Sequence, residues 1–377
     1  MRIAVNTHLL IYGKLDGIGW FTYETITRLC RNHPEHEFIL IFDRKPSKVL
    51  HFPSNTRVVV LPPPARHPWL WFIRFELLMP LLLRWLRADI FVSPDGWLTL
   101  HAPCPTVQVL HDINFAHKPA DLPFWVRKYY NGLFPKYAHR ATRIATVSQF
   151  SANDIAETWS IDVGKISVTH NGCSQDYQPQ PVEQQQQTRQ LYSQGKPYFL
   201  YVGALIPRKN IEKMLRAYDA FREMDPHGTR LIIVGPHKWG SPKMEKTWQQ
   251  MKYRDEVIFT GRMGTRNLNA LYAASRALLF VPYFEGFGIP IVEAFNAETA
   301  VITANVTSMP EVAGDAALLV NPHNEQEIAQ AMTQLSQDDT LRAQLIERGR
   351  QRRSQFSWDQ TAQRLWRCIE QAAQKRP

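Results

Sequence analysis

Two glutamates stand either side of a glycine turn in the stretch Tyr283 to Ala297, YFEGFGIPIVEAFNA. An apolar run, Ala277 to Val281, leads into it. The chain turns through Gly286 and Gly288, and Pro290 falls where a first helical residue belongs, a position proline suits. Glu285 precedes the turn, and Glu293 falls in the first turn of the expected helix. A strand, a glycine-rich turn and an exposed helix N-terminus make a site for an anion or a polar ligand. Gly288, without a Cβ, leaves backbone N–H groups open at close range. Glu293 alone has a second explanation, complementing the helix dipole. Two glutamates flanking an apolar glycine turn are harder to ascribe to packing.

A second group is Gly203-Ala204-Leu205-Ile206-Pro207-Arg208-Lys209-Asn210, again after an apolar run. A small residue at a strand end lets a ligand approach. Arg208 and Lys209 put two cations at the start of the next helix, where a diphosphate binds. The alternative is a solvated basic turn capped by Asn210. The glutamate motif on the same sheet edge favours the phosphate. His111-Asp112 closes a third apolar run, LHD. A histidine there serves as general acid or base, as a hydrogen-bonding group, or as a structural residue held by Asp112. There is no Gly-x-Ser-x-Gly elbow, no Walker phosphate loop and no His-Glu-x-x-His zinc motif. Gly17-x-Gly19 lacks the third glycine of a dinucleotide fingerprint, which disfavours NAD and FAD.

The elements that must position these residues alternate. Arg2–Asn6 reads as a buried strand, followed by a loop, His8 to Gly19, containing DGIG, and a helix from Trp20 to Arg31. Strands at Phe38–Phe42, Arg57–Leu61, Asp89–Val92, Thr106–Leu110, Arg143–Val147 and Ile166–Thr169 complete the first half. Helices run from Phe124 to Arg140 and from Ser148, a good N-cap. Residues 176–197, DYQPQPVEQQQQTRQLYSQGKP, lack apolar periodicity and read as a linker. Alternation restarts at Tyr198–Val202 and runs to Ala317–Val320, with three helices after it. This implies an α/β protein with two doubly wound parallel sheets: a first domain over 1–175, a second over 198–357, and a last helix near 358–377 that returns to the first. Ligands in such sheets sit beyond the carboxyl ends of strands. DGIG, His111-Asp112, Gly203 to Asn210, Gly261-Arg262 and the glutamate turn all lie there, which points to a ligand in a cleft between the domains. Residues 69–87 are rich in Trp, Leu and Phe. They are either a core helix on the sheet or a surface helix that docks on a membrane or a lipid-linked substrate. Arg74, Glu76, Pro80 and Arg84 interrupt them, so they do not read as a bilayer span.

The totals narrow the classes. The chain has 377 residues, 44% hydrophobic and 21% charged, with a formal charge of +10. That is long for one core and ordinary for a globular protein. Residues 1–177 hold 19 Lys and Arg against 14 Asp and Glu, and the remainder holds 25 against 20. The excess is even, without the basic arm expected of a nucleic-acid binder. It fits a protein that handles phosphorylated ligands or rests on an anionic membrane. Cys30, Cys104, Cys173 and Cys368 show no metal or disulfide spacing, so a reducing compartment is expected. The N-terminus, MRIAVNTH, reads as a strand without a signal peptide.

Taken together, EGFGIPIVE (285–293), PRKN (207–210) and SMPEVAG (308–314) resemble the retaining glycosyltransferases of family 4, especially mannosyltransferase-like members. Their fold is GT-B, two Rossmann-like domains facing each other across a deep cleft. The resemblance covers nearly the whole chain, including DGIG, LHD, TVSQFS (146–151) and HNG (170–172). It implies metal-free transfer of a sugar from a nucleotide-diphosphate donor, with no cofactor, by front-face attack in which the leaving phosphate helps take the acceptor's proton. It also implies roles. Glu285 meets the donor sugar's hydroxyls and Glu293 the ribose. Phe287, Gly288 and Ile289 offer N–H groups near sugar and phosphate. Arg208 and Lys209, beside Gly203, hold the diphosphate and stabilise it as it leaves. Gly17 and Gly19 approach the phosphates, His111 lies by the reacting carbon, and Arg262 and Met263 lie beside the base. The expected partners are a nucleotide-sugar donor and a saccharide or lipid-linked oligosaccharide acceptor, with no nucleic acid. The location is cytoplasmic, with the 69–87 segment leaving peripheral contact at the inner membrane face open. The expected donor is GDP-mannose. A UDP-sugar, a sugar-nucleotide epimerase of the same fold and a basic nucleic-acid-binding protein are the alternatives. Three departures stand out: Trp20 after the DGIG glycines, Glu298 where a glycine is usual, and no arginine directly after Gly203.

Overall fold

A computed structural model describes the whole chain except residues 12, 14, 16, 48, 65, 237–240 and 376–377. The chain forms two compact units, Met1–Gly172 with Trp358–Pro377, and Cys173–Ser357. The first is built on a parallel sheet of order β3-β2-β1-β4-β5-β6-β7. Its strands are β1 (Arg2–Asn6), β2 (Glu37–Phe42), β3 (Thr56–Val60), β4 (Ile90–Ser93), β5 (Thr106–Leu110), β6 (Arg143–Thr146) and β7 (Ile166–Val168). The central strands are mostly apolar and, apart from Arg2 at the start of β1, buried, because helices cover both faces of the sheet. The helix Gly17–Asn32 starts at the DGIG glycines, three residues before the start expected at Trp20, and Asp16 of that motif lies outside the described residues. Trp358–Ala373 belongs to this unit: Arg28 Nε donates to Asp359 (2.7 Å), and the Arg364 guanidinium sits 2.9 Å from His170 Nδ1.

Residues 69–87 are not one regular helix. Pro68–Phe72 and Met79–Trp85 are α-helical, and Ile73–Leu78 between them is π-helical. Both faces are apolar. Phe75, Met79 and Leu83 are fully buried, whereas Trp69, Ile73, Leu77, Leu81 and Trp85 form a second fourfold row that is 38–69% exposed. Two of the interrupting charges turn inward, and Arg84 stays exposed: Arg74 donates to the Leu61 carbonyl, and Glu76 accepts from Tyr137 Oη (2.8 Å). Packing against the sheet and exposure at the surface thus occur in the same segment.

The second unit has a parallel sheet of order β10-β9-β8-β11-β12-β13. Its strands are β8 (Tyr198–Val202), β9 (Arg230–Val234), β10 (Val257–Gly261), β11 (Ala277–Phe280), β12 (Ala300–Ala304) and β13 (Leu318–Val320). The expected linker, 176–197, is part of this unit, and Val182–Ser193 within it is a helix that packs beside the helix Thr265–Ala274. Its glutamines other than half-buried Gln185 are exposed and only Ser193 is buried, so the helix shows no apolar period. Arg189 Nε, donating to the Ala274 carbonyl (2.9 Å), ties it down.

Candidate active site

In the second sheet β8 and β9 are each followed by a glycine and β10 ends in one, and these ends are joined. Gly203 N–H donates to the Val234 carbonyl (2.9 Å), and Gly235 N–H to the Gly261 carbonyl (3.1 Å). A Cβ on Gly235 would lie 2.0 Å from the Gly203 carbonyl oxygen, so only glycine permits this approach. After β8 a single turn, Pro207–Lys209, presents Arg208 and Lys209, and Asn210 locks it by donating to the Val281 and Pro322 carbonyls (2.9 and 2.8 Å). Both cations reach Glu285: an Arg208 guanidinium nitrogen and Lys209 Nζ (2.5 Å) share its Oε1. Arg208 also donates to the Phe284 carbonyl (3.1 Å), and Lys209 lies over the Phe280 ring. The cluster carries one net positive charge in half-buried surroundings, where Coulomb interactions exceed their value in water.

The turn beyond β11 is held from below. Gly288 sits at φ +97°, and a Cβ there would come within 2.7 Å of Met309 Cε. Ser308, in the SMPEVAG stretch, donates its hydroxyl to the Glu285 carbonyl (2.8 Å). The helix that follows is Ile289–Asn296 with Gly288 as its cap, so Pro290 is its second residue and Glu293 its fifth. Glu293 therefore lies beyond the first turn, and the helix dipole does not account for it. Instead Tyr272 Oη donates to Glu293 Oε2 (2.7 Å), and Tyr177 also hydrogen-bonds the carboxyl. Burial raises the Glu293 carboxyl above its ordinary range, and the two tyrosines partly offset this. Phe287 is buried against Phe356, with ring centroids 5.6 Å apart. Ile289, like Gly288, opens the helix, where N–H groups have no intrahelical acceptor. Arg262 is exposed and Met263 half-buried directly after β10.

In the first unit, His111 follows β5 and its Nε2 donates to the Pro94 carbonyl (2.9 Å), with Phe21 edge-on at 4.9 Å. Asp112, next in the chain, accepts from Asn114 N–H (3.0 Å). Gly17 is exposed and Gly19 buried, both in the first turn of a helix rather than in a loop. Sequence reasoning missed a buried network on this edge. Asp95 accepts from Asn6 Nδ2 (2.8 Å) and Ser93 Oγ (3.0 Å) and pairs with His8 Nδ1 (2.8 Å). Polar residues straight after apolar strands, NTH and SPD, were the available signal. Among the described residues no group of three or more His, Cys, Asp or Glu is arranged to hold a metal ion.

Residues 15–177 match the family described as Glycosyltransferase Family 4, and residues 183–352 match Glycosyl transferases group 1. The chain is 33% identical over 379 residues to O-antigen chain mannosyltransferase B of Escherichia coli, covering 95% of this chain and 97% of that one. The chain belongs to glycosyltransferase family 4. It is also 28% identical to O-antigen chain mannosyltransferase RfbU of Salmonella typhimurium, over 63% of this chain and 64% of that one. Sucrose-phosphate synthase from Thermosynechococcus elongatus superposes with a TM-score of 0.79 over 98% of both chains, at 16% identity, and so shares the fold.

Membership gives the two-sheet architecture its name, GT-B, and makes the chain a glycosyltransferase. Its departure at Glu298 has a local explanation. Glu298 has φ +56°, a conformation glycine adopts freely, and Arg350 holds it with two hydrogen bonds of 3.0 and 2.8 Å. Trp20 is 42% exposed, near Tyr23. No helix among the described residues is long and apolar enough to cross a membrane.

Proposed function

We propose that this glycosyltransferase moves mannose from GDP-mannose, with retention of configuration, to a saccharide or lipid-linked oligosaccharide in surface polysaccharide or glycolipid synthesis. The observation that carries this is full-length similarity to an O-antigen chain mannosyltransferase, together with the Glu285, Arg208 and Lys209 cluster. In this reading the two cations take the donor's diphosphate and stabilise the charge that develops as it leaves. Their positive charge does the work a metal ion would otherwise do, so none is required, nor any cofactor. Glu285, released from the cations, accepts from the sugar hydroxyls, and Glu293 takes the ribose. Gly203, Gly288 and Ile289 let the ligand approach the backbone, with Phe287 fixing the turn. Arg262 and Met263 flank the base. His111 serves the acceptor side, oriented through its bond to Pro94, and the helix N-terminus at Gly17 and Gly19 favours phosphate.

The exposed row Trp69, Ile73, Leu77, Leu81 and Trp85 supports peripheral contact with the inner face of a membrane. Trp125 continues it, with its ring 5.9 Å from that of Trp69, and Arg57 and Lys128 lie over the rings of Trp85 and Phe124. Tryptophan and cations beside an apolar row suit an anionic interface. The test of the donor is a thermal-shift panel of GDP-, UDP-, ADP- and dTDP-sugars, followed by NMR of the product anomer. GDP-mannose should give the largest shift, since a ligand of the folded state stabilises it. A larger shift with another sugar nucleotide, or an inverted product, rejects the corresponding part.

A further inference from the structure

The second sheet has an amino edge as well as a carboxyl edge, and three arginines meet there. Arg189, Arg276 and Arg342 line, with Pro197, a cavity of about 110 Å³. Pro197 directly precedes β8 and Arg276 directly precedes β11, so this cavity is a strand length, about 15 Å, from Gly203 and the Glu285 turn. Each guanidinium spends its Nε on a carbonyl: Arg189 on Ala274 (2.9 Å), Arg276 on Leu335 (2.5 Å) and Arg342 on Arg276 (2.9 Å). The terminal nitrogens then turn to different ends. Arg276 gives one to Asp339 (2.6 Å) and one to the Ser336 carbonyl (3.0 Å), and Arg189 gives one to Gln185 Oε1 (3.4 Å). Neither terminal nitrogen of Arg342 has a protein partner among the described residues. Asp339 is the one carboxylate that the three contact, and it is largely exposed. Burial, then Arg276, push the Arg342 guanidinium down to about 10, which still leaves it charged at neutral pH. Three like charges surround one half-buried space, and Asp339 pairs with Arg276 alone, so the cations repel each other unless an anion joins them.

We propose that this cavity is a second ligand site, separate from the donor site, that takes a small tetrahedral oxyanion such as inorganic phosphate. The size allows it: a cavity of about 110 Å³ is well above what a single water needs, so a small ion can enter. The chemistry fits too: Arg342 has both terminal nitrogens left for a bidentate pair with phosphate oxygens, and Arg189 has one more to add. The occupant bridges the Val182–Ser193 helix, the start of β11 and the helix Asp339–Arg352, so it clamps three segments of one unit.

The test is calorimetric and thermal titration of the full chain with inorganic phosphate. The variants are Arg342→Gln, Arg189→Gln and, as a control on the donor site, Arg208→Ala. Phosphate should raise the melting temperature of the wild type by about 2–4 °C at saturation. Arg208→Ala should keep that response, and Arg342→Gln and Arg189→Gln should weaken phosphate at least about tenfold. No response in the wild type, or one lost in Arg208→Ala and unchanged in the other two, overturns the proposal. Arg189→Gln leaves the Arg342 bond to the Arg276 carbonyl intact, so it decides the matter if Arg342→Gln does not fold.

Discussion

Changing Glu285 to glutamine should separate binding from turnover. In the structure the Glu285 carboxylate holds both Arg208 and Lys209 on one oxygen. A donor diphosphate that uses these cations has to share them with that carboxylate or displace it. Bare Coulomb attraction at 4 Å with an effective dielectric of 20 is about 4 kcal/mol. The net worth of a charge-assisted hydrogen bond is smaller, about 1.5–3 kcal/mol. Glutamine keeps the shape and one acceptor oxygen but removes the competing charge. Binding of GDP should therefore tighten by roughly 10- to 150-fold, the equivalent of that energy. Turnover should fall about 10²- to 10³-fold, the usual loss when a preorganised polar group is removed from the reacting centre. Without nucleotide the variant should be less stable, because two cations lose their carboxylate, and GDP should restore that stability by mass action. Isothermal titration with GDP and a steady-state transfer assay measure the two quantities separately. GDP affinity that drops in step with turnover would refute the idea that Glu285 and the diphosphate compete for the same cations.

Four further outcomes are expected. Glu293 is raised by burial, so the folded state holds its proton to higher pH than the unfolded chain. Its contribution to stability is thus lost as pH rises from the ordinary carboxylate value through the raised one. Glu293→Gln should flatten urea-unfolding stability across that window, and an unchanged slope would reject the assignment. Gly288→Ala should cost about 1–3 kcal/mol, mostly from the positive φ. Because Met309 Cε is flexible, a Met309→Ala background should rescue only a small part, and complete rescue would count against backbone strain. The combined Leu77→Ser, Leu81→Ser and Trp85→Ser variant should lose more than about tenfold in co-sedimentation with anionic vesicles, since each apolar side chain contributes about 1.5–3 kcal/mol when buried. Its transfer to a soluble acceptor should be unaffected, and undiminished sedimentation would reject the docking surface. Prolonged chelation should leave transfer intact; activity lost and restored by Mn²⁺ would mean a metal takes part.

What the sequence disclosed follows from the distance over which its signals act. Parallel strands covered on both faces need mostly apolar runs, so β1, β5 and β8 were readable to the residue. The helix Val182–Ser193 was not, because a solvated helix anchored by Arg189 needs no apolar stripe. The segment 69–87 was ambiguous for a physical reason. Phe75, Met79 and Leu83 repeat every fourth residue, as do Leu77, Leu81 and Trp85 on the opposite side, and a pattern of composition cannot tell which row faces the sheet. The glutamate motif was legible as a turn because glycine and proline act locally, but its electrostatics were not. Arg208 and Glu285 are 77 residues apart, and only the parallel pairing of β8 with β11 brings their loops together. The family resemblance assigns Arg208 and Lys209 to phosphate and Glu285 to sugar as if they were independent. Their shared oxygen makes them one charge-coupled unit, so neutralising any member changes what the other two can bind.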